Sequence, residues 1–150
     1  MSLHSLVFRA FSHATEDEAK VAKALAFVSG TDEANRTESS GYHGNPIIVL
    51  ETTIRDRQGI YSFFRRLGAN SIRELLSTLE MRVDDQSFFY LRLDKQEAYL
   101  GALELSSGDD VIAVRGKVRA YPSRRDAALR IMDEHLRSFL DDENSKQSSP

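Results

Sequence analysis

Residues 111–120, VIAVRGKVRA, alternate between apolar and basic side chains. A period of two is that of a β-strand, whose successive side chains point to opposite faces of a sheet. The apolar face carries Ile112, Val114, Val118 and Ala120. The other face carries Arg115, Lys117 and Arg119. The stretch therefore predicts a strand that buries one face and presents three cations, spaced by roughly 7 Å, on the other.

Three other segments show strand patterns. Residues 5–13 and 87–94 alternate, and residues 47–55 are rich in aliphatic and β-branched side chains. Residues 102–105 predict a further short strand after the connecting segment DKQEAYLG. Residues 29–46 are polar and rich in turn residues, which predicts a long loop.

Helical spacing predicts helices over residues 16–28 and 57–67, then one capped at its start by Ser71 and a last one capped by Ser123. Thr15 and Glu18 have the spacing of a capping box, and Gly68 predicts a helix end. The side chains predicted to face the core are Val21, Ala24, Leu25, Val28, Ile60, Phe63, Phe64, Leu67, Ile72, Leu75, Leu76, Leu79, Leu129, Met132, Leu136, Phe139 and Leu140.

Length and composition predict one α+β domain. The chain has 150 residues, of which 41% are hydrophobic, and this suffices for a single core over residues 1–140. Residues 141–150 predict a polar, flexible tail. Cysteine is absent, and neither a membrane-spanning run nor a secretory signal is visible, so the expected location is the cytoplasm.

The segment RGKVRAYPSRR, residues 115–125, contains five basic residues and no acidic one, although the whole chain has a net charge of -3. Tyr121 lies among the basic residues Arg115, Lys117, Arg119, Arg124 and Arg125. Cations beside an aromatic ring are typical of single-stranded RNA sites. A solvated strand face is the alternative. Phe88, Tyr90 and Arg92 extend an RNA surface if they are open to solvent, and are part of the core if helices cover them.

The turn GYHGNP, residues 41–46, carries His43 and Asn45 before a strand. Glycine, asparagine and proline explain it as a sharp turn, and contact with RNA is its functional alternative. No phosphate loop, nucleophile elbow or metal-ligand spacing is present in the sequence. The sequence therefore predicts no catalytic residue, no metal and no cofactor.

Four phrases occur in a characteristic order: FRAFSHATEDEAKVAKAL, GYHGNPIIVLE, FYLRLDKQEAYLG and DDVIAVRGKVRAYP. Together they resemble an archaeal family of small proteins described as RNA-binding proteins and predicted exosome subunits. The resemblance implies a two-layer α+β fold with a mostly antiparallel sheet and helices on one face. Such a fold is similar to that of the ribosomal protein that carries 5S RNA, and a ferredoxin-like fold is the alternative.

The resemblance also implies RNA and exosome subunits as partners. The motif positions it offers as site candidates are His13, Thr15, Glu16, Gly41, His43, Gly44, Asn45, Pro46, Arg92, Lys95, Gln96, Arg115 and Lys117. Lys95 and Gln96 are expected to be exposed and without a structural duty.

The sequence thus predicts a non-catalytic RNA-binding protein. Its contacts are expected from Arg115, Lys117, Arg119, Tyr121, Arg124, Arg125, Arg92, Lys95, Gln96, His43 and Asn45. The alternative is an interaction module, such as a homodimer, whose arginines pair with an acidic patch. That patch comprises Asp133, Glu134, Asp141 and Asp142.

Overall fold

A computed structural model describes the backbone of residues 2–40 and 44–147, and the side chains of residues 2–40 and 44–141. Its elements, in chain order, are β1 (Leu3–Ser12), α1 (Glu18–Ser29), β2 (Asn35–Ser40), β3 (Pro46–Ile54), α2 (Arg57–Leu67), α3 (Ala69–Ser77), β4 (Phe88–Asp94), α4 (Lys95–Tyr99), β5 (Val111–Val118) and α5 (Arg125–Gln147). A single 3-10 turn, Leu79–Met81, follows α3.

The five strands form one antiparallel sheet in the order β2-β3-β1-β5-β4. This arrangement confirms the predicted two-layer α+β class. By its contacts the chain divides into two compact units. We call them the α5 unit, which comprises Met1–Leu6, Arg55–Leu91 and Arg115–Pro150, and the α1 unit, which comprises Val7–Ile54 and Arg92–Val114. The single domain expected over residues 1–140 stays a prediction.

Aromatic rings form the centre of the α5 unit. Phe64 packs against Phe63, Phe89 and Phe139 at ring-centroid distances of 5.3, 6.4 and 5.7 Å. His135 meets the edge of Phe64 at 4.9 Å. Such tilted and edge-on pairs are the favoured aromatic geometries. They pack α2, β4 and α5 together, and Phe63, Phe64 and Phe139 are buried as the helical spacing of the sequence predicts.

Helix α2 has the predicted bounds. Asp56 caps it by accepting a hydrogen bond from Gly59 N at 2.8 Å, and Gly68 ends it with a φ of 86°. Helix α3 begins immediately after Gly68, so the prediction that Ser71 is its N-cap is wrong. Met132, Leu136 and Phe139 of α5 are buried as predicted, and its helical part extends to Gln147.

In the α1 unit, helix α1 buries Val21, Ala24, Leu25 and Val28 as predicted. Its N-cap, however, is Asp17, which accepts from Ala19 N at 2.9 Å. The predicted capping box with Thr15 is wrong, because the Glu18 carboxylate pairs with Arg36 of β2 at 3.1 Å instead.

Two other predictions in the α1 unit need correction. The expected loop over residues 29–46 contains strand β2, which pairs with β3 from Asn35 opposite Glu51 to Ser40 opposite Pro46. All six β2 residues are exposed, so no apolar alternation marks the strand. The expected connection after β4 contains helix α4, capped by Asp94. The short strand expected at residues 102–105 is reduced to one bridge between Leu93 and Leu105.

Within the described residues, no helix has the length and apolar composition needed to cross a membrane.

Candidate nucleic-acid interface

The outward face of β5 presents the predicted cations Arg115 and Lys117 in the α5 unit; the strand ends at Val118, so Arg119 follows it and is not on the strand as predicted. Arg115 and Arg119 are exposed and Lys117 is half-buried, while Gly116 and Val118 between them are buried. A Cβ at Gly116 would lie 3.0 Å from a methyl group of Leu3 and from one of Leu6. This close approach fixes which side of β5 faces inward. The basic residues are therefore directed outward by the packing of their neighbours.

Two of these cations lie over the ring of Phe88 on β4. The Arg115 guanidinium carbon is 4.9 Å, and the Lys117 ammonium 4.7 Å, from the ring centroid. Cations are attracted to the electron-rich face of an aromatic ring, with a free energy of about 0.5–1 kcal/mol at exposed sites. Phe88 therefore holds the two charges beside each other.

Tyr90 continues the aromatic side of this surface. Its ring centroid is 6.4 Å from that of Phe88, and 41% of the residue is exposed, while Phe88 is half-buried. The alternative in which helices cover both rings is therefore wrong. This part of β4 presents an aromatic surface to solvent.

Asp84 fixes the position of Tyr90. Its carboxylate accepts hydrogen bonds from the Tyr90 hydroxyl at 2.8 Å and from Gln86 N and Phe88 N at 2.9 Å each. Burial acts to raise the pKa of Asp84, but these bonds outweigh it and hold that pKa below the ordinary value. Burial and the hydrogen bond to Asp84 both raise the pKa of Tyr90. The tyrosine is thus a neutral donor locked onto a carboxylate.

The turn after Asp84 also anchors the chain that follows β5. Ser87 has a φ of 67° and is fully buried. Its carbonyl accepts from Val118 N at 2.8 Å, and its hydroxyl oxygen accepts from the Ser123 hydroxyl at 3.1 Å. The Lys117 ammonium donates to the neighbouring Gln86 carbonyl. These bonds tie both ends of the segment 118–123 to one turn.

Tyr121 lies on that segment and is 99% exposed. Arg124 is exposed, and its nearest ionic partner is Asp126 at 3.5 Å. Arg125 has a structural duty instead, because its guanidinium donates to the backbone carbonyls of Val83 and Glu80. Of the predicted basic residues in this unit, Arg125 and Lys117 are therefore the two whose side chains donate to backbone carbonyls.

The remaining predicted site residues belong to the α1 unit. Three of them are exposed: Arg92, Gln96 and Asn45. The Gln96 amide donates a hydrogen bond to the Asp110 carboxylate at 2.9 Å. His43 lies outside the described residues, as do Gly41 and Tyr42.

The prediction that Lys95 is exposed is wrong. The residue is 4% exposed, and its ammonium lies 2.8 Å from a carboxylate oxygen of Glu16, 2.8 Å from one of Asp110 and 3.0 Å from the Phe11 carbonyl. Burial acts to lower the pKa of Lys95, but the hydrogen bonds to Asp110 and Glu16 raise it overall. All three ammonium donors are used inside the protein.

Sequence reasoning missed the roles of Asp84 and Ser87. An aspartate that accepts from the backbone two residues on is a known turn former, so Asp84 and Gln86 carried a usable signal. The sequence carried no signal for the positive φ of Ser87, because serine is not among the residues that favour that conformation.

Comparisons with known proteins place this chain among archaeal relatives. A family model described as RNA binding matches residues 5–118. RNA-binding protein PAB1135 of Pyrococcus abyssi is 38% identical over 146 residues, which cover 91% of this chain and 95% of that protein.

Solved structures of two DUF54 proteins share the fold. The protein of Methanothermobacter thermautotrophicus is 34% identical with a TM-score of 0.76, covering 93% of this chain and 99% of that one. The protein of Archaeglobus fulgidus is also 34% identical with a TM-score of 0.77, covering 91% of this chain and 99% of that one. The family model matches most of the chain, and the relative from Pyrococcus abyssi matches over nearly its full length, which confirms the family resemblance. The chain therefore belongs to the family described as RNA binding.

Proposed function

We propose that this protein binds RNA without catalysing a reaction, through a surface of the α5 unit that we call the basic strand surface. It consists of Phe88, Tyr90, Arg115, Lys117, Arg119 and Tyr121. The observation that carries the proposal is the alignment of Arg115 and Lys117 over Phe88, beside an exposed tyrosine. Membership of a family described as RNA binding, and a relative named RNA-binding protein, support it.

The charges of this surface are available to phosphate. Among the described residues, Arg115, Lys117 and Arg119 form no ion pair with a carboxylate. A cation without a carboxylate partner keeps its attraction for a phosphate group, and neutralising phosphates releases counterions. The expected binding is therefore salt-dependent. Arg124 supplies a further contact at the end of the row.

The residues of the α1 unit have smaller parts in this proposal. Arg92 and Asn45 remain candidates for RNA contact, and His43 stays a prediction. Lys95 and Gln96 are assigned to holding Asp110, because their polar groups are used there. Association with the archaeal RNA-processing exosome in the cytoplasm, which the family resemblance implies, is part of the proposal. Absence of exosome core subunits after gentle co-purification from the native cell would count against that association.

The proposal is tested by fluorescence anisotropy of labelled RNA over a salt series. The test variant combines Arg115→Glu, Lys117→Glu and Arg119→Glu. The control variant combines Arg57→Glu, Arg73→Glu and Arg130→Glu, three exposed residues of the same unit. Both variants change the net charge equally, so they separate local contacts from the overall field.

We expect the control to bind like the wild type and the test variant to lose binding. If all three cations contact phosphates of a single strand, the slope of log affinity against log salt falls by about 2, at about 0.7 per phosphate. Equal losses in the two variants would show that only net charge matters, and would refute the assigned surface.

A further inference from the structure

Tyr121 is the most exposed large hydrophobic side chain of the described chain, at 99%. It contributes nothing to the core, and its ring offers both faces to solvent. The backbone around it is nevertheless held, because Arg119 N donates to the Ser2 carbonyl at 2.8 Å and Ser123 donates to Ser87. The ring of Tyr121 therefore has a fixed backbone and two neighbouring arginines but does not contribute to packing, which suits it to contact a ligand.

The three aromatic rings of the basic strand surface have different tasks. The Phe88 ring is occupied by Arg115 and Lys117, so it supports the cations. Tyr90 is half-exposed and is held at its hydroxyl by Asp84, which leaves ring surface open in a fixed orientation. Tyr121 is free on both faces. Two rings are thus open to stack against a flat partner.

Open rings distinguish two forms of RNA. In a duplex the bases are already stacked on each other, and a surface tyrosine meets only backbone and groove edges. In a single strand the base faces are accessible, and stacking on aromatic side chains is tolerant of sequence. The cations attract the phosphates of both forms. A preference for the single strand must therefore come from the tyrosines, because the phosphate charge density is higher in a duplex.

Resting on the proposed function, we propose that the basic strand surface selects single-stranded RNA and that Tyr121 stacks on an unpaired base. The phosphate row then supplies the general attraction, and Tyr121 supplies the preference for unpaired over paired RNA.

The experiment measures the affinity for an unstructured labelled RNA oligonucleotide and for a duplex of the same strand. The variants are Tyr121→Ala and Tyr121→Phe, with Tyr61→Ala as the control. Tyr61 is an exposed aromatic residue of α2 and lies outside the basic strand surface. Far-ultraviolet circular dichroism establishes that each variant is folded.

We expect Tyr121→Ala to weaken single-strand binding about tenfold, in line with the loss of one base stack, and to change duplex binding less than twofold. Tyr121→Phe should keep the wild-type affinity, since the ring and not the hydroxyl is needed. The Tyr61→Ala control should bind both forms like the wild type.

Equal wild-type affinity for the two RNA forms, or an unchanged single-strand affinity in Tyr121→Ala, would overturn the inference while leaving the proposed function in place. The proposed function fails separately if the triple glutamate variant binds as well as its charge-matched control. Absence of RNA binding by the wild type at low salt would refute both.

Discussion

Replacing Lys95 by methionine tests whether the buried ammonium stabilises the α1 unit. The substitution keeps a side chain of similar length, so no large cavity is created. It removes the charge that lies between Glu16 and Asp110, each 2.8 Å away. It also removes the donor to the Phe11 carbonyl. Two carboxylates then face each other without a cation between them.

The expected loss follows from how much water can reach those carboxylates. Removing one partner of a fully buried ion pair costs roughly 3–5 kcal/mol. Here the side chains of Glu16 and Asp110 are 24% and 52% exposed, so water replaces part of the lost interaction. We therefore expect Lys95→Met to lower the free energy of unfolding by about 2 kcal/mol at pH 7, which shifts Tm by about 4–8 °C in a chain of this size.

The loss should depend on pH in a defined direction. Burial acts to raise the pKa of Glu16, but its hydrogen bond from Lys95 lowers it overall; for Asp110 the bond from Lys95 is the main cause of a lowered pKa. A carboxylate with a lowered folded pKa stabilises the fold above its unfolded pKa, and this stabilisation is lost as the pH falls through the folded pKa. The raised pKa of Lys95 gives stability below its unfolded pKa that is lost in strong alkali.

Urea unfolding followed by circular dichroism, at about pH 3.5 and pH 7, measures the loss in Lys95→Met and its dependence on carboxylate ionisation. Lys20→Met is the matched control, because Lys20 is exposed and lies 5.6 Å from the ring centroid of Tyr99. It should cost about 0.5 kcal/mol with little change over this range of pH. A loss in Lys95→Met no larger than in Lys20→Met, or one of equal size at the two pH values, would refute the reasoning.

Three other perturbations have outcomes fixed by the α5 unit. Burial lowers the pKa of His135 from 6.5 to about 4. The free energy of unfolding of the wild type should therefore fall by up to roughly 3 kcal/mol as the pH falls from about 6.5 to 4. Urea titrations of His135→Leu should lack this loss. Gly116→Ala should lower the free energy of unfolding by about 1–2 kcal/mol in urea, because the new Cβ crowds Leu3 and Leu6; a neutral or stabilising effect would contradict that packing. Asp84→Asn should cost about 1 kcal/mol at pH 7 and less as the pH falls through the lowered pKa of the wild-type carboxyl. A loss in urea unfolding that stays the same as the pH falls would show that the charge is unimportant.

The parts of the fold that were predicted correctly are those where an apolar pattern and a stop signal agree. Helix α2 ends at Leu67 because Gly68 takes a positive φ, and the strand pattern of β5 appears with Arg115 and Lys117 on the outward face, although the strand ends one residue before Arg119. In both cases the signal is local, since a few neighbouring residues determine the geometry. The family resemblance added the two-layer arrangement, which no single segment encodes.

The incorrect predictions concern residues whose structure depends on contacts with residues far away in the sequence. Strand β2 is polar throughout and exists through its pairing with β3, so its own residues give no signal. Lys95 is buried because Glu16, 79 positions earlier, and Asp110, 15 positions later, both approach its ammonium. A lysine is almost never buried unless it is paired. From sequence alone the exposed state was the better expectation, and the partners could not be identified.

The basic strand surface and the core of the α5 unit are encoded by alternate residues of one strand, and this makes function separable from stability. Arg115 and Arg119 point to solvent, while Gly116 and Val118 are packed inside. A substitution at Arg115 removes a cation–aromatic contact of about 1 kcal/mol, and one at Lys117 also removes the hydrogen bond to the Gln86 carbonyl. A substitution at Gly116 instead strains the packing against β1. If the triple glutamate variant loses RNA while its unfolding free energy stays close to that of the wild type, the loss belongs to the surface. If Gly116→Ala loses more RNA binding than its unfolded fraction explains, the positions of Arg115 and Lys117 depend on the packing of Gly116, and function is not separable from stability here.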